Sequence, residues 1–135
     1  MQNHDVRWKQ RFENFAKASK LLSEIQDYPA EQTLAIIREG FVQRFEVTFE
    51  LAWKPLRDLL EHEGVRVQPT PRAVLKEAFA ANFIEDGQLF MDMLEARNLV
   101  AHKYDEETFT AVFLQIQQKF EPALTQLCAM FEGKL

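Results

Sequence analysis

The sequence predicts an all-α fold, an up-and-down antiparallel four-helix bundle with an extra short helix, in one domain over residues 1–135. Three observations predict it. Apolar residues recur three or four positions apart over most of the chain, the period of a helix with one buried face. Four Gly and five Pro in 135 residues leave too few turns for an all-β fold. Twelve Phe supply ring volume for a core, in a chain long enough to bury one.

The elements follow in order. Val6 to Ile25 reads as the first helix, with Trp8, Phe12, Phe15, Ala16, Ala18, Leu22 and Ile25 on its apolar side and Asp5 as N-cap. Tyr28 precedes Pro29 and is pushed out of the α region, which ends it. The second helix is expected from Ala30 to His62. Leu34, Ile37, Phe41, Phe45, Phe49, Ala52, Leu56 and Leu60 form its stripe, and Val42, Val47, Leu51, Trp53 and Leu59 widen it. A helix apolar around so much of its circumference is central or faces two partners. Pro55 should kink it, and Gly64 suits the position after its last cap.

Residues 65–71 form the one long non-helical connection. Val65-Arg66-Val67 has strand character, but nothing else in the chain could pair with it. Thr70 as N-cap and Pro71 at the first helical position start a short third helix, Arg72 to Phe79. Asn82 or the Asp86-Gly87 pair breaks the chain before a fourth helix, Gly87 to Lys103, which buries Leu89, Phe90, Met93, Leu94 and Val100. Asp105 caps the fifth, with Glu106 and Glu107 in its first turn. Phe109, Val112, Phe113, Ile116, Phe120, Leu124, Leu127 and Phe131 are its apolar side, and Pro122 should kink it.

Composition excludes several function classes. A net charge of −5 does not suit a general polyanion binder. The single cysteine, Cys128, forms no internal disulfide and reads as a small buried hydrophobe, which suits a reducing cytoplasm. No apolar run approaches the roughly 18–20 residues that span a bilayer, and residues 1–8 lack the apolar centre of a signal peptide. The three histidines, His4, His62 and His102, are scattered, so no metal site is expected. There is no Gly-rich phosphate loop. The two serines, Ser19 and Ser23, sit on the first helix without triad context. No cofactor is expected.

What remains is Arg97-Asn98-Leu99-Val100-Ala101-His102-Lys103-Tyr104, at the end of the fourth helix. Asn98 and His102 are four apart and share a helix face. Arg97 and Tyr104 share another, if the helix runs that far. Arg97 and His102 are five apart and point in different directions, so two packed copies would be needed to converge them. The bland alternative is a polar helix end, with Arg97 paired to Glu50 or Glu46.

The string Arg97-Asn98-x-x-x-His102-x-Tyr104 resembles the signature of the HEPN superfamily, in its R-x4-H-x-Y form. Phe45-Glu46-Val47-Thr48-Phe49-Glu50-Leu51-Ala52-Trp53-Lys54, the Pro71-Arg72 helix start and Met93-Leu94-x-x-Arg97-Asn98 resemble its nucleotidyltransferase substrate-binding subgroup, over nearly the whole chain. Two positions depart from that pattern. A Trp is usual near Phe90, and a Thr often stands where this chain has Lys103.

The resemblance implies a homodimeric helical bundle working beside a minimal nucleotidyltransferase. It implies a metal-independent ribonuclease toxin of a toxin–antitoxin pair, with a composite site across the two-fold axis. Arg97 and His102 are its catalytic residues, supported by Asn98. The transferase would silence it by moving AMP onto Tyr104. Lys103, Glu46, Glu50 and Trp53 are candidate nucleotide or RNA contacts. The alternative is a non-catalytic nucleotide- or substrate-binding subunit, with a groove of Phe45, Phe49, Trp53, Arg97 and His102.

Overall fold

The computed structural model describes residues 2–135, with side chains from Val6 onward. Among these residues there are helices and connections but no strand. Helix α1 spans Gln2–Leu22. It begins ahead of the expected N-cap Asp5, whose side chain lies outside the described residues. Ile25, placed in this helix by its spacing, instead sits buried in a 3₁₀ turn, Ser23–Asp27. The Gln117 side-chain amide donates to the carbonyls of Ile25 (3.0 Å) and Tyr28 (2.7 Å), so backbone acceptors at this corner find a partner outside any helix.

The second helix does not start at Ala30. Ala30–Gln32 forms another short 3₁₀ turn, and helix α2 spans Ala35–His62. Two side chains hold the chain open here. The Thr33 hydroxyl donates to the Pro29 carbonyl, and the Arg38 guanidinium donates to the Thr33 carbonyl. Leu34 stays extended and 66% exposed, outside the buried stripe that its spacing suggested. Val47 is half exposed as well. Ile37 is half-buried against the core, and the rest of the stripe, Phe41, Phe45, Phe49, Ala52, Leu56 and Leu60, is buried. The helix continues through Pro55. At its end Gly64 takes φ +87°. Its N–H meets the Glu61 carbonyl and the Val65 N–H meets the Leu60 carbonyl, the paired bonds of a Schellman cap.

Helix α3, Pro71–Ala80, starts as the sequence predicts, with the Thr70 hydroxyl accepting from the Ala73 N–H. Asn82 (φ +64°) ends it with the same pair of bonds, Asn82 N–H to Phe79 and Phe83 N–H to Ala78. Helix α4, Gly87–His102, is capped by Asp86, whose carboxylate accepts from the Leu89 N–H at 3.0 Å. A Cβ on Gly87 would lie 3.1 Å from the Phe79 ring, so the close approach of α3 and α4 favours glycine there. Asp105 caps helix α5, Glu106–Gln115, accepting from the Thr108 N–H at 2.7 Å. That bond favours the charged carboxylate and holds its pKa below the ordinary value. A π-helical turn, Ile116–Phe120, then leads into helix α6, Glu121–Glu132. The disturbance expected at Pro122 takes this form. The proline has no N–H for the Gln118 carbonyl, and its ring crowds that oxygen, so the ladder shifts in the preceding turn.

Helix directions follow from paired residues. Arg11–Asp58 and Glu24–Arg44 make α1 and α2 antiparallel. Trp8–Phe131 and Gln26–Glu121 do the same for α1 and α6, and Arg97–Glu50 with Tyr104–Glu39 for α4 and α2. Phe41–Phe113 and Phe45–Phe120 bring α2 alongside the α5–α6 pair in parallel. Eleven of the twelve Phe are buried, and only Phe79 is exposed. Cys128 is half-buried, and burial pushes its thiol pKa up, as for a small packing residue. Two carboxylates are also enclosed. Asp58 meets Arg11 at 2.8 Å, and Glu121 accepts from Gln26 and Thr125.

Phe131 is the seam between the two ends of the chain. It stacks on Trp8 (5.9 Å) and Phe12 (5.2 Å) and meets Phe15 edge-on (6.0 Å). Phe131→Ala should destabilise the protein by about 3–5 kcal/mol, the usual range for an emptied aromatic core site. Urea denaturation measures it, and a loss under about 1 kcal/mol would mean that α6 is not seated on α1 in this way.

Candidate functional site at the end of helix α4

The last two turns of α4 separate two kinds of residue. Met93, Ala96 and Val100 point into the core, while Asn98, Leu99, Ala101 and His102 are exposed. The helix stops at His102. Lys103 is its C-cap, in extended backbone (φ −130°, ψ 93°), with its N–H on the Leu99 carbonyl. The helix therefore does not reach Tyr104, and the face that Arg97 and Tyr104 would share on a longer helix does not form. Extended residues and the Asp105 cap carry Tyr104 across to α2. Its ring stands edge-on to Phe109 with centroids 4.9 Å apart, and its hydroxyl donates loosely to Glu39 Oε1 at 3.3 Å. It remains 82% exposed.

Arg97 meets the same helix farther along. Nη2 donates to Glu50 Oε1 at 2.7 Å, and the guanidinium carbon lies 5.9 Å from the Phe49 ring centre. Nη1 reaches Asn98 Oδ1 at 3.4 Å. Lys54 approaches the other Glu50 oxygen at 3.7 Å, so one carboxylate faces two cations. Both partners of the Arg97–Glu50 pair are about a third exposed. Pairs this wet contribute about 0–1 kcal/mol, so the main effect is to fix where the guanidinium sits. Glu46 lies one turn earlier on α2. Burial pushes its carboxyl pKa up, and the nearby Arg97 charge pulls it partly back.

The bland reading of this stretch is met by Arg97, which has the carboxylate partner it requires. It leaves His102 without an assigned structural contact. That imidazole is exposed and makes no hydrogen bond or ion pair among the described residues. Asn98 contacts Arg97 rather than His102.

The groove of rings expected for a nucleotide is closed. Phe45 is fully buried against Phe120, Phe49 lies beneath Arg97, and Trp53 is 9% exposed. Close packing of α2 against its neighbours uses these faces, so a base cannot stack on Trp53 in this arrangement. The Trp53 indole N–H is itself buried without a protein partner. The other basic candidates are not gathered at Arg97. Lys103 is exposed beside His102, Arg72 reaches Met91, and Arg66 and Lys76 line a separate cleft of about 520 Å³ with α3 on one side.

One residue at this end of the fold was not legible in the sequence. Glu39 meets Tyr104 across 65 positions of chain, and no local pattern marks it. With Glu46, Gly40 and Phe109 it lines a cleft of about 450 Å³ beside Tyr104. No group of three or more His, Cys, Asp or Glu is placed to hold a metal among the described residues. Nor is any helix there long and apolar enough to cross a membrane.

Residues 10–132 match the sequence model of one family, described as nucleotidyltransferase substrate binding protein like. The chain belongs to this family. It is the subgroup that the FExxFELAWK segment and the R-x4-H-x-Y string resemble, and its name ties it to nucleotidyltransferases. A curated relative, a probable ribonuclease HepT of Haemophilus influenzae, is 28% identical over 81 residues, 57% of this chain. The match spans 56% of that relative's length. Among solved structures, one from Thermus thermophilus is 29% identical with a TM-score of 0.71, over 89% of this chain and 97% of that one. Another, from Haemophilus influenzae, is described as revealing the fold of a substrate binding domain of a nucleotidyltransferase. It is 21% identical with a TM-score of 0.66, over 96% of this chain and 98% of that one, and shares the helical fold.

The geometry makes a prediction about charge. Arg97 is the group that draws the Glu46 pKa down, while burial drives it up. Arg97→Ala should therefore move the Glu46 carboxyl further above its ordinary value, as read by carbon-detected NMR titration. A carboxyl raised in the folded state stabilises fully below its unfolded pKa, and that contribution is lost as pH rises through the folded value. Removing Arg97 should steepen this loss, and Glu46→Gln should abolish it. A Glu46 titration unchanged in Arg97→Ala would show that the two groups do not interact.

Proposed function

We propose that this chain is the HEPN-type partner of a minimal nucleotidyltransferase. In this reading it is a metal-independent ribonuclease toxin, active as a homodimer of up-and-down four-helix bundles and silenced by AMP transfer to Tyr104. The observation that carries the reading is His102. This imidazole ends α4 exposed to solvent and, among the described residues, without a hydrogen-bond or ion-pair partner, so both its nitrogens are open to a substrate. It stands five residues from an arginine held against Glu50 on α2. The family's tie to nucleotidyltransferases and the ribonuclease name of a relative support it.

The chemistry follows from residue types. His102 ends the helix as an exposed imidazole, a side chain able to accept or donate a proton. It can take the proton of a ribose 2′-hydroxyl or give one to the leaving 5′ oxygen. Arg97 offers a planar fork of donors to the extra charge that builds on the phosphorus in the transition state. Within one chain the two diverge. A two-fold axis beside α4 would set Arg97 and His102 of one copy against those of the other, which makes the site composite. Asn98, already against Arg97, would hold the guanidinium when phosphate displaces Glu50. AMP on Tyr104 would then put a bulky anion at the mouth of this site and exclude RNA.

Two measurements test the reading. Purified dimer should cleave RNA in the presence of EDTA. His102→Ala and Arg97→Ala should each lower the rate by about 100-fold or more, the usual scale for a lost proton-transfer or charge-stabilising group. Intact RNA after incubation with a verified dimer would overturn the ribonuclease assignment. Separately, incubation with the cognate transferase and ATP should add one or more AMP masses to the peptide containing Tyr104, and Tyr104→Phe should prevent it. Label at another residue would remove Tyr104 from its role.

A further inference from the structure

The Tyr104 hydroxyl meets a carboxylate across the fold. Glu39 Oε1 lies 3.3 Å from it. The approach is built by two separate elements. Asp105 fixes the start of α5 just past Tyr104, and Phe109 braces the ring from the edge. On the other side Glu39 projects from the first turns of α2, whose start is locked by Arg38 on the Thr33 carbonyl. The cleft of about 450 Å³ beside the hydroxyl leaves room for an incoming group. Gly40, next to Glu39, would have nothing within 4 Å of an added Cβ, so that wall is open.

We propose that Glu39 is the general base for modification of Tyr104, taking the phenolic proton as the oxygen attacks the α-phosphorus of a nucleoside triphosphate held by the partner transferase. This rests on the reading that Tyr104 accepts AMP. A bond forms between the tyrosine oxygen and the α-phosphorus, and the bond from that phosphorus to the bridging oxygen breaks. Pyrophosphate leaves, and the proton passes to Glu39 and then to solvent. A phenol ordinarily loses its proton near pH ~10 and is a weak nucleophile at neutral pH. An adjacent carboxylate removes the need to form free phenolate first. The acceptor side of the reaction would thus be carried by this chain, with the nucleotide side left to the transferase.

The other titratable group lining the cleft is Glu46, which contacts Arg97 electrostatically and has no bond to Tyr104. Lys103, beside Tyr104 in the chain, and the Arg38–Glu106 pair at 3.7 Å are the nearby charges from the other elements.

The test uses the full chain with its transferase and magnesium ATP, and follows the initial rate of AMP transfer to Tyr104 by mass spectrometry across pH. Glu39→Gln keeps the side-chain length and an oxygen that accepts a hydrogen bond, but takes no proton. It should lower the rate by about 100-fold, the lower end for a lost general base. Its rate should also climb more steeply toward alkaline pH, as phenolate formation takes over. Glu39→Asp should recover part of the rate, and Glu63→Gln, exposed at the far end of α2 and outside the cleft, should keep the wild-type rate and pH profile. Calorimetry with the transferase and thermal unfolding of each variant check that binding and folding are intact. Wild-type rate and pH profile in Glu39→Gln, with Tyr104 still labelled, would overturn the role of Glu39 and leave the acceptor reading standing. Transfer of the loss to Glu46→Gln would do the same. An unlabelled wild-type chain would overturn both.

Discussion

Helix α2 carries more apolar surface than any one neighbour can cover, and this constraint arranges the rest of the molecule. Phe45 and Phe41 face the rings of the α5–α6 pair, while Leu56, Leu59 and Leu60 are sealed within the same core. Helix α1 lies along it, tied by the Arg11–Asp58 pair. Burial of each large side chain contributes on the order of 1.5–3 kcal/mol, so the aromatic stripe outweighs any single polar contact at the surface. Along the edge that remains runs a polar strip, Glu39, Glu46 and Glu50, and α4 ends beside it. The candidate site sits on that strip because the apolar faces of α2 are already occupied.

The strip gives the site its character. An arginine lying over a buried ring, held by a carboxylate, has a fixed position but little net stabilisation from the pair. Glu46 is less comfortable. It is partly enclosed and shares Arg97 with Glu50, and its raised pKa records burial only partly offset by that charge. Three carboxylates along one helix edge repel one another, and removing the guanidinium would leave that repulsion uncompensated. The pairing therefore places Arg97 and tempers the acidity of the surface around it.

How much of this was legible in the sequence depends on range. The caps were readable because each is a local contract between residues three positions apart. Thr70, Asp86 and Asp105 all accept the bond that their position suggests, and Gly64 takes the left-handed backbone. The HEPN-like string was readable for the same reason. The failures are tertiary. Leu34 continues the helical spacing of α2, but Thr33 and Arg38 hold it outside the helix. Trp53 and Phe49 look like a stacking platform in one dimension, and packing makes them core. Ile25 is buried through a corner that Gln117 stabilises from 92 residues away. Glu39, Asp58 and Glu121 are ordinary surface residues by pattern, and only the fold gives them partners.

The resting charge arrangement also bears on how the site would meet RNA. The chain has a net charge of −5, and the polar strip of α2 is acidic where a phosphate backbone would have to pass. Glu50 already occupies Arg97 at hydrogen-bond distance. A phosphate that took that position would exchange with the carboxylate, at little cost because the pair is wet and weak. Once Glu50 is displaced, Lys54 remains to satisfy it. The attraction gained from one arginine is small on the scale of nucleic-acid binding, where affinity grows with the number of phosphates neutralised. On the proposed reading, binding would be weak, which would suit a nuclease that acts on RNA in passing rather than one that holds it. It also makes such a site easy to close, since one added phosphodiester on Tyr104 would bring a charge comparable to that of Arg97, at a rim that is already negative.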